Sequence, residues 1–321
     1  MTDAWQPDAA LLNASAASYT ILPGQTWSPP SGNQYYDAVH WTDTPCAVVG
    51  GTKDVDAALV GAAQLVVDGA SQEAVIVAFR GTLPPAGPAP TPSKVFDWLV
   101  NDILGTFAQV PVIGFGDGAA VHSGFWLATT TIWPEVEKAI AAADNGRGLP
   151  LYLTGHSKGG PMATLAAAYL HQQGGAAPHV VTFASPHPGN GAFAAAYDKV
   201  IAQRRWEFAK DVVPLVPPTP AVAEDLADLV AEIPDVGADL AAIFRDAATW
   251  DYQPVGTRLY INSAGHFTHF GLDEAARLAL DIAPEIATGG LAAVGHAHCC
   301  TCETKECDGG YQRGVCGGDC C

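Results

Sequence analysis

The feature that most constrains the fold is a short apolar segment that leads through a glycine-flanked serine into an alanine-rich stretch. Residues 151–160 read LYLTGHSKGG, and residues 161–170 continue with apolar side chains at helical spacing. A strand that turns sharply into a helix predicts a Gly-x-Ser-x-Gly nucleophile turn with Ser157 at its apex. A glycine-rich loop that packs a strand on a helix is the alternative, so the motif needs support from the rest of the chain.

The composition argues against several classes of partner. The chain has 321 residues, of which 49% are hydrophobic, and a formal net charge of −18. With 15 basic residues, it lacks the clustered positive charge that binding to nucleic acid or to an anionic membrane surface requires. The chain contains no uninterrupted apolar run of about 18 residues, so we do not expect a membrane-spanning helix. The first residues do not resemble a secretory signal.

Cysteines are concentrated at the end of the chain. Seven of the eight lie within residues 299–321, and Cys46 stands alone. We therefore expect one domain over residues 1–298, followed by a Cys-rich tail over residues 299–321. The even number favours disulfides, whereas the nearby histidines and carboxylates leave a metal site as the alternative. Disulfides would favour a secreted or periplasmic protein and their absence a cytoplasmic one, so the compartment stays open.

Strands and helices alternate through most of the chain. The predicted strands are residues 47–51, 64–68, 74–79, 151–153, 179–184, 206–210 and 257–262, and the predicted helices are residues 96–103, 126–143, 161–170 and 273–287. Residues 1–45, with several proline and glycine turns, are predicted to be irregular and to wrap the core. The alternation predicts an α/β fold with a doubly wound, mostly parallel sheet flanked by helices.

Two segments outside this alternation bear on access to the site. Residues 221–250 carry apolar side chains at helical spacing, which predicts a helical insertion. We expect this insertion to cap the cleft, and a helix pair packed on the edge of the core is the alternative. Residues 84–92 are rich in proline, so they predict a loop after the third strand.

A nucleophilic serine needs a general base and a carboxylate that orients the base, and in α/β hydrolases these follow in the order Ser, Asp, His. Asp211 is the candidate acid because it lies where a strand opens into a proline-rich loop. An aspartate that initiates a turn is the alternative. The candidate bases are His266, His269, His296 and His298.

The transition state of such a reaction also needs two backbone amides that stabilise the oxyanion. The residue after the nucleophile, Lys158, supplies one amide, and its side chain is predicted to be exposed. A turn after an earlier strand supplies the other amide, and Thr82 in the Arg80–Gly81–Thr82 turn is the candidate. Ser157, Thr82 and Asp211 all follow predicted strands, at the edge where parallel sheets bind ligands.

Seven blocks follow one another along the chain: AFRGT (78–82), DWL (97–99), VHSGF (121–125), TGHSKGG (154–160), TFASP (182–186), DVVP (211–214) and PVGTRLY (254–260). Together they resemble the class 3, fungal-type lipase family of the α/β-hydrolase superfamily, in a bacterial-type member with a Cys-rich tail. The resemblance implies a serine hydrolase of acylglycerols or related carboxylic esters that needs no metal or organic cofactor.

The resemblance also implies roles for individual residues. Ser157 would be the nucleophile, Asp211 the orienting acid, and Thr82 and Lys158 the oxyanion donors, with residues 97–98 following the lid. The family places its catalytic histidine after a helix and a few residues before a tyrosine. The first choice is therefore His298, followed along the chain by Tyr311. The second and third choices are His296 and His266.

This chain departs from the family pattern in two places. A Cys-rich stretch separates His298 from Tyr311, and residues 83–93 are too rich in proline for an amphipathic lid. We therefore do not expect interfacial activation by that segment.

Two alternatives to acylglycerol hydrolysis stay open. One is a hydrolase of phospholipid, galactolipid, feruloyl or polyester substrates, because a fold does not determine its substrate. The other is an inactive lipid-binding protein that kept the fold, although the intact blocks around Ser157 and Asp211 favour an enzyme. In every case the expected partner is a small-molecule or lipid ester, with transient contact at a lipid interface and no binding of nucleic acid.

Overall fold

The computed structural model describes residues 6–52, 55–83, 108–231, 237–269, 271–299 and 309–316. The predicted loop 84–92, the predicted helix 96–103 and most of the tail cysteines lie outside these ranges.

A central sheet organises the described chain. The strands are β1 (Cys46–Gly50), β2 (Asp56–Val67), β3 (Ala70–Phe79), β4 (Gln109–Pro111), β5 (Ala120–His122), β6 (Leu151–His156), β7 (His179–Phe183), β8 (Gly189–Asn190), β9 (Gln203–Phe208), β10 (Tyr252–Gln253), β11 (Thr257–Ile261) and β12 (Phe267–Thr268). Eight of them form one sheet in the order β1-β2-β3-β6-β7-β9-β11-β12. The stretch from β3 to β11 is parallel, with antiparallel strands at both ends. A mostly parallel sheet is therefore confirmed.

Helices pack on both faces of this sheet. They are α1 (Gln6–Ser18), α2 (Gln34–Asp37), α3 (Ser123–Asp144), α4 (Gly159–Gln172), α5 (Gly191–Val200), α6 (Ala223–Ala231), α7 (Gly237–Ala247), α8 (Glu274–Arg277), α9 (Ala283–His298) and α10 (Gly310–Cys316). Alternate residues of β3 face opposite sides: Val77 joins the core cluster that contains α3 and α4, and Ile76 joins the cluster that contains α1 and α10. Within the described ranges, no helix has the length and apolar character that crossing a bilayer requires.

The expectation that residues 1–45 are irregular is wrong for α1. This helix is buried along most of its length, and Ala14, Ala17 and its two serines are covered as fully as its leucines. A helix covered on several sides shows no single apolar stripe, so periodicity does not reveal it. Its buried Asp8 accepts hydrogen bonds from Trp206 Nε1 at 2.8 Å and Arg204 Nε at 3.1 Å, both on β9.

The predicted insertion contains the helix pair α6 and α7. Their apolar faces, represented by Leu226 and Phe244, belong to the same core cluster as Val213 and Leu215, which follow Asp211. The helix pair therefore packs on the same core that the loop after Asp211 enters. The expected cap over residues 221–250 stays a prediction.

Replacing Asp8 by alanine tests whether this side chain anchors α1 to the sheet. Because Asp8→Ala removes a buried carboxylate that pairs with Arg204 and accepts from Trp206, we expect the free energy of unfolding to fall by about 3 kcal/mol in urea titrations. Glu135→Ala is the matched control. The Glu135–Lys138 pair is exposed and contributes at most about 0.5 kcal/mol to the free energy of unfolding. Equal losses in the two variants would contradict the anchoring role.

Candidate active site

The turn between β6 and α4 holds Ser157 in a strained backbone conformation. Its φ angle is +58°, in the left-handed region that residues other than glycine rarely adopt. The amide of Ser157 donates to Phe183 O at 3.0 Å, and its carbonyl accepts from Gly160 N at 2.8 Å. The Ser157 Oγ atom is buried and has no hydrogen-bond partner among the described residues. The hydroxyl is therefore available for chemistry rather than committed to the fold.

The flanking glycines are required because backbone segments touch at this turn. A Cβ on Gly155 would lie 2.2 Å from Gly159 O, and a Cβ on Gly159 would lie 2.1 Å from Phe79 O. Both distances are too short for any side chain. The contact with Phe79 brings the end of β3, and with it Thr82, next to the serine turn.

Asp211 and His298 form a buried pair. His298 Nδ1 lies 2.9 Å from Asp211 Oδ2, and both side chains are almost completely buried. Tyr311 Oη donates to the same oxygen at 2.7 Å, and Val213 N donates to Oδ1 at 2.9 Å. Burial opposes ionisation of Asp211, but His298 and these hydrogen bonds outweigh it and hold the pKa of Asp211 below its ordinary value. An ionised Asp211 fixes the proton of His298 on Nδ1 and directs Nε2 away from the carboxylate.

Among the four candidate histidines, all of which lie in the described ranges, His298 is the one hydrogen-bonded to Asp211. His266 and His269 are exposed near β12. His296 lies in the last turn of α9, two residues before His298. The choice of His298 before His296 and His266 as the catalytic base stays a prediction.

His156 connects the serine turn to His298. The two rings lie 4.6 Å apart between centroids, and His156 Nε2 lies 2.7 Å from His298 O. Since a carbonyl only accepts, Nε2 carries the proton, and Nδ1 accepts from Tyr19 Oη at 2.9 Å. Burial and, to a smaller extent, His298 lower the pKa of His156 from 6.5 to about 3. His156 is therefore neutral at physiological pH and holds the His298 backbone beside Ser157.

Arg277 supports the loop that carries Asp211. This fully buried guanidinium donates to Phe208 O at 2.7 Å, to Ala209 O at 3.0 Å and to Asp211 O. It also pairs with Glu207 Oε2 at 2.8 Å. Burial raises the pKa of Glu207, but its arginine neighbours outweigh that effect and lower it overall. The Arg277–Glu207 ion pair thus fixes the backbone at the end of β9. The positive and negative charges of the pair neutralise each other in the buried site.

The two candidate oxyanion donors lie on adjoining segments. The Thr82 hydroxyl is buried and has no partner among the described residues. The expectation of an exposed Lys158 side chain is wrong: it is 8% exposed, and its Nζ atom lies 2.7 Å from Asp56 Oδ1. A buried carboxylate supplied by β2 makes burial of this ammonium group tolerable.

Several residues of the site carry no local sequence signal. Tyr19, Asp56 and Arg277 act on residues that are 66 to 137 positions away along the chain. None of them belongs to a recognisable motif. A charged residue such as Arg277 within an apolar helical stretch is the one weak indication that such a contact exists.

The mostly parallel sheet and the strained serine turn define an α/β-hydrolase fold, as predicted. Residues 76–221 match the family model "Lipase (class 3)". This segment of the chain is therefore similar to the class 3 lipase family, which confirms the resemblance seen in the sequence.

Individual relatives agree with this family. A secreted mono- and diacylglycerol lipase 1 of Fusarium solani is 32% identical over 158 residues, which are 49% of this chain and 43% of that protein. The chain thus spans less than half the length of this relative. The structure of Rhizomucor miehei triacylglyceride lipase matches with a TM-score of 0.52 and 22% identity over 78% of each chain. A triacylglycerol lipase described as having a serine protease triad as its catalytic centre matches with the same values.

Replacing His156 by glutamine tests the buried neutral histidine. Below pH 6.5 the unfolded chain binds a proton at this residue that the folded chain does not bind until about pH 3. The wild type therefore loses stability as the pH falls through this window, and His156 contributes about 1.4 kcal/mol per pH unit. In urea titrations between pH 4 and pH 6, His156→Gln should lack this part of the slope. His266→Gln, at an exposed histidine, is the control, and a His156→Gln slope equal to that of the wild type would contradict the prediction.

Proposed function

We propose that this protein is a serine ester hydrolase that acts on acylglycerols or related carboxylic esters. Ser157 is the nucleophile, His298 the general base and Asp211 the acid that orients the base. The observation that carries the proposal is the buried His298–Asp211 hydrogen bond of 2.9 Å, attached through His156 to the strained turn at Ser157.

In the first half of the reaction, His298 Nε2 takes the hydroxyl proton as Ser157 Oγ attacks the ester carbonyl. The developing imidazolium is stabilised by the ionised Asp211, which Tyr311 and Val213 hold in place. The protonated His298 then gives its proton to the leaving alcohol, and the acyl group stays on Ser157. In the second half, water activated by the same histidine releases the acid and restores the serine.

The negative charge on the carbonyl oxygen is stabilised by the backbone amides of Thr82 and Lys158. The amide of Lys158 lies at the start of α4, where the first N–H groups of a helix are not used by the helix itself. The side chain of Thr82 offers a further hydroxyl donor. Every group in this scheme belongs to the chain, and no metal or organic cofactor takes part.

The proposed substrate class follows the relatives. The Fusarium solani protein is named a mono- and diacylglycerol lipase, and the two solved structures described above are named triacylglycerol or triacylglyceride lipases. We propose acylglycerols as the substrate for this chain, reached by transient contact with a lipid surface.

For the Cys-rich tail we propose disulfides rather than a metal site. The bonded sulfur atoms of Cys299 and Cys316 support this proposal. Cys299 directly follows His298, and Cys316 ends the helix that carries Tyr311. Disulfides here would therefore fix both side chains that contact Asp211.

Hydrolysis of p-nitrophenyl esters from acetate to palmitate tests the proposed function. We expect turnover by the wild type and a loss of roughly 10⁴-fold or more in kcat for Ser157→Ala and for His298→Ala, because each removes a group that acts only as part of the triad. The preferred chain length would separate an esterase from a lipase.

His296→Ala is the competing variant, and His266→Ala, at an exposed histidine, is the matched control. Both should keep kcat within about twofold of the wild type. Loss of activity in His296→Ala with full activity in His298→Ala would overturn the assignment of the base. A folded wild type that hydrolyses no ester would favour a lipid-binding protein.

A further inference from the structure

We propose that the buried ion pair between Lys158 and Asp56 is a positioning device that holds the two oxyanion amides at a fixed separation. The inference rests on the proposed ester hydrolysis and deepens it. The side chains of Lys158 and Asp56 act by holding the backbone of the oxyanion hole in place. In this role they are positioning residues.

The pair is buried deeply enough to act as a rigid link. Lys158 Nζ lies 2.7 Å from Asp56 Oδ1, and the two side chains are 10% and 9% exposed. Removing two charges from water is costly, and a buried pair rarely stabilises a fold more than apolar side chains of similar size would. Stability alone therefore does not account for a lysine and an aspartate at these positions.

Asp56 lies on the segment that also holds the second oxyanion donor. Its neighbour Ala57 accepts a hydrogen bond through its carbonyl from Arg80 N at 2.9 Å, and Val55 O accepts from Arg80 Nη2 at 2.8 Å. Arg80 is buried and lies two residues before Thr82. Residues 55–57 therefore hold Lys158 by a side chain and the Thr82 turn by two backbone carbonyls.

The serine turn with Lys158 and the turn with Thr82 also touch directly. A shift of one donor amide therefore cannot easily be offset by a shift of the other. A Cβ on Gly159 would lie 2.1 Å from Phe79 O, and a Cβ on Gly81 would lie 2.7 Å from the carbonyl oxygen of His156. The serine turn and the Thr82 turn are thus in backbone contact on one side and joined through Asp56 on the other. Because oxyanion donors act only within about 2.7–3.1 Å of the charged oxygen, a small change in their separation reduces catalysis.

Asp56→Asn keeps the size of the side chain and removes the charge that pairs with Lys158. Lys158→Met removes the ammonium group and leaves the backbone amide in place. For each variant we expect kcat on the preferred p-nitrophenyl ester to fall about tenfold with KM within about twofold. The reason is that displaced amides weaken binding of the transition state more than binding of the ester.

The double variant Asp56→Asn/Lys158→Met separates positioning from folding. Without an unpaired buried charge it should regain most of the unfolding free energy that Asp56→Asn loses, while its kcat stays about tenfold below that of the wild type. If kcat recovers together with stability, the pair serves folding alone and the inference is wrong. If Asp56→Asn does not fold, the kcat of the double variant alone tests the positioning role.

The control is Lys138→Met, which breaks the exposed Glu135–Lys138 pair on α3 and should leave kcat unchanged. The outcomes distinguish the two proposals. If the wild type is active, Ser157→Ala is inactive and the double variant matches the wild type in kcat, the positioning role fails and the proposed function stands. A wild type without ester hydrolysis overturns both.

Discussion

The left-handed backbone of Ser157 is the constraint on which the rest of the site depends. At this turn the backbone of β6, the start of α4 and the end of β3 are in contact, and Gly155, Gly159 and Gly81 allow the approach. The strain is compensated because the turn lies between buried parallel strands whose hydrogen bonds do not let it relax. One local geometry thereby keeps the buried serine hydroxyl free of hydrogen bonds to the described residues and brings the Thr82 turn beside it.

The acid and the base are supported by a different part of the molecule. Arg277 and Glu207 fix the backbone after β9, so that Asp211 meets His298 from α9 and Tyr311 from α10. These helices come from the last third of the chain. The site is therefore assembled from two halves, which His156 joins by its contact with the His298 carbonyl.

The sequence was sufficient for the elements whose pattern is local. The strand before Ser157, the helix after it and the parallel sheet follow from apolar runs and glycine placement, and all were predicted near their observed positions. Helix α1 was missed because its small side chains are covered on several sides and leave no apolar stripe. The buried side chain of Lys158 was predicted to be exposed, since a lysine alone gives no indication that Asp56 lies 2.7 Å away.

The amino-acid sequence by itself determined the α/β class, the turn at Ser157 and a short set of candidate acids and bases. These depend on residue type and spacing within a few turns of chain, where steric rules are strict. Only the tertiary structure decided that His298, rather than His296 or His266, contacts Asp211. It alone also revealed the supporting contacts of Tyr19, Asp56 and Arg277. Such contacts join residues far apart in sequence, and the packing that brings them together depends on the whole core at once.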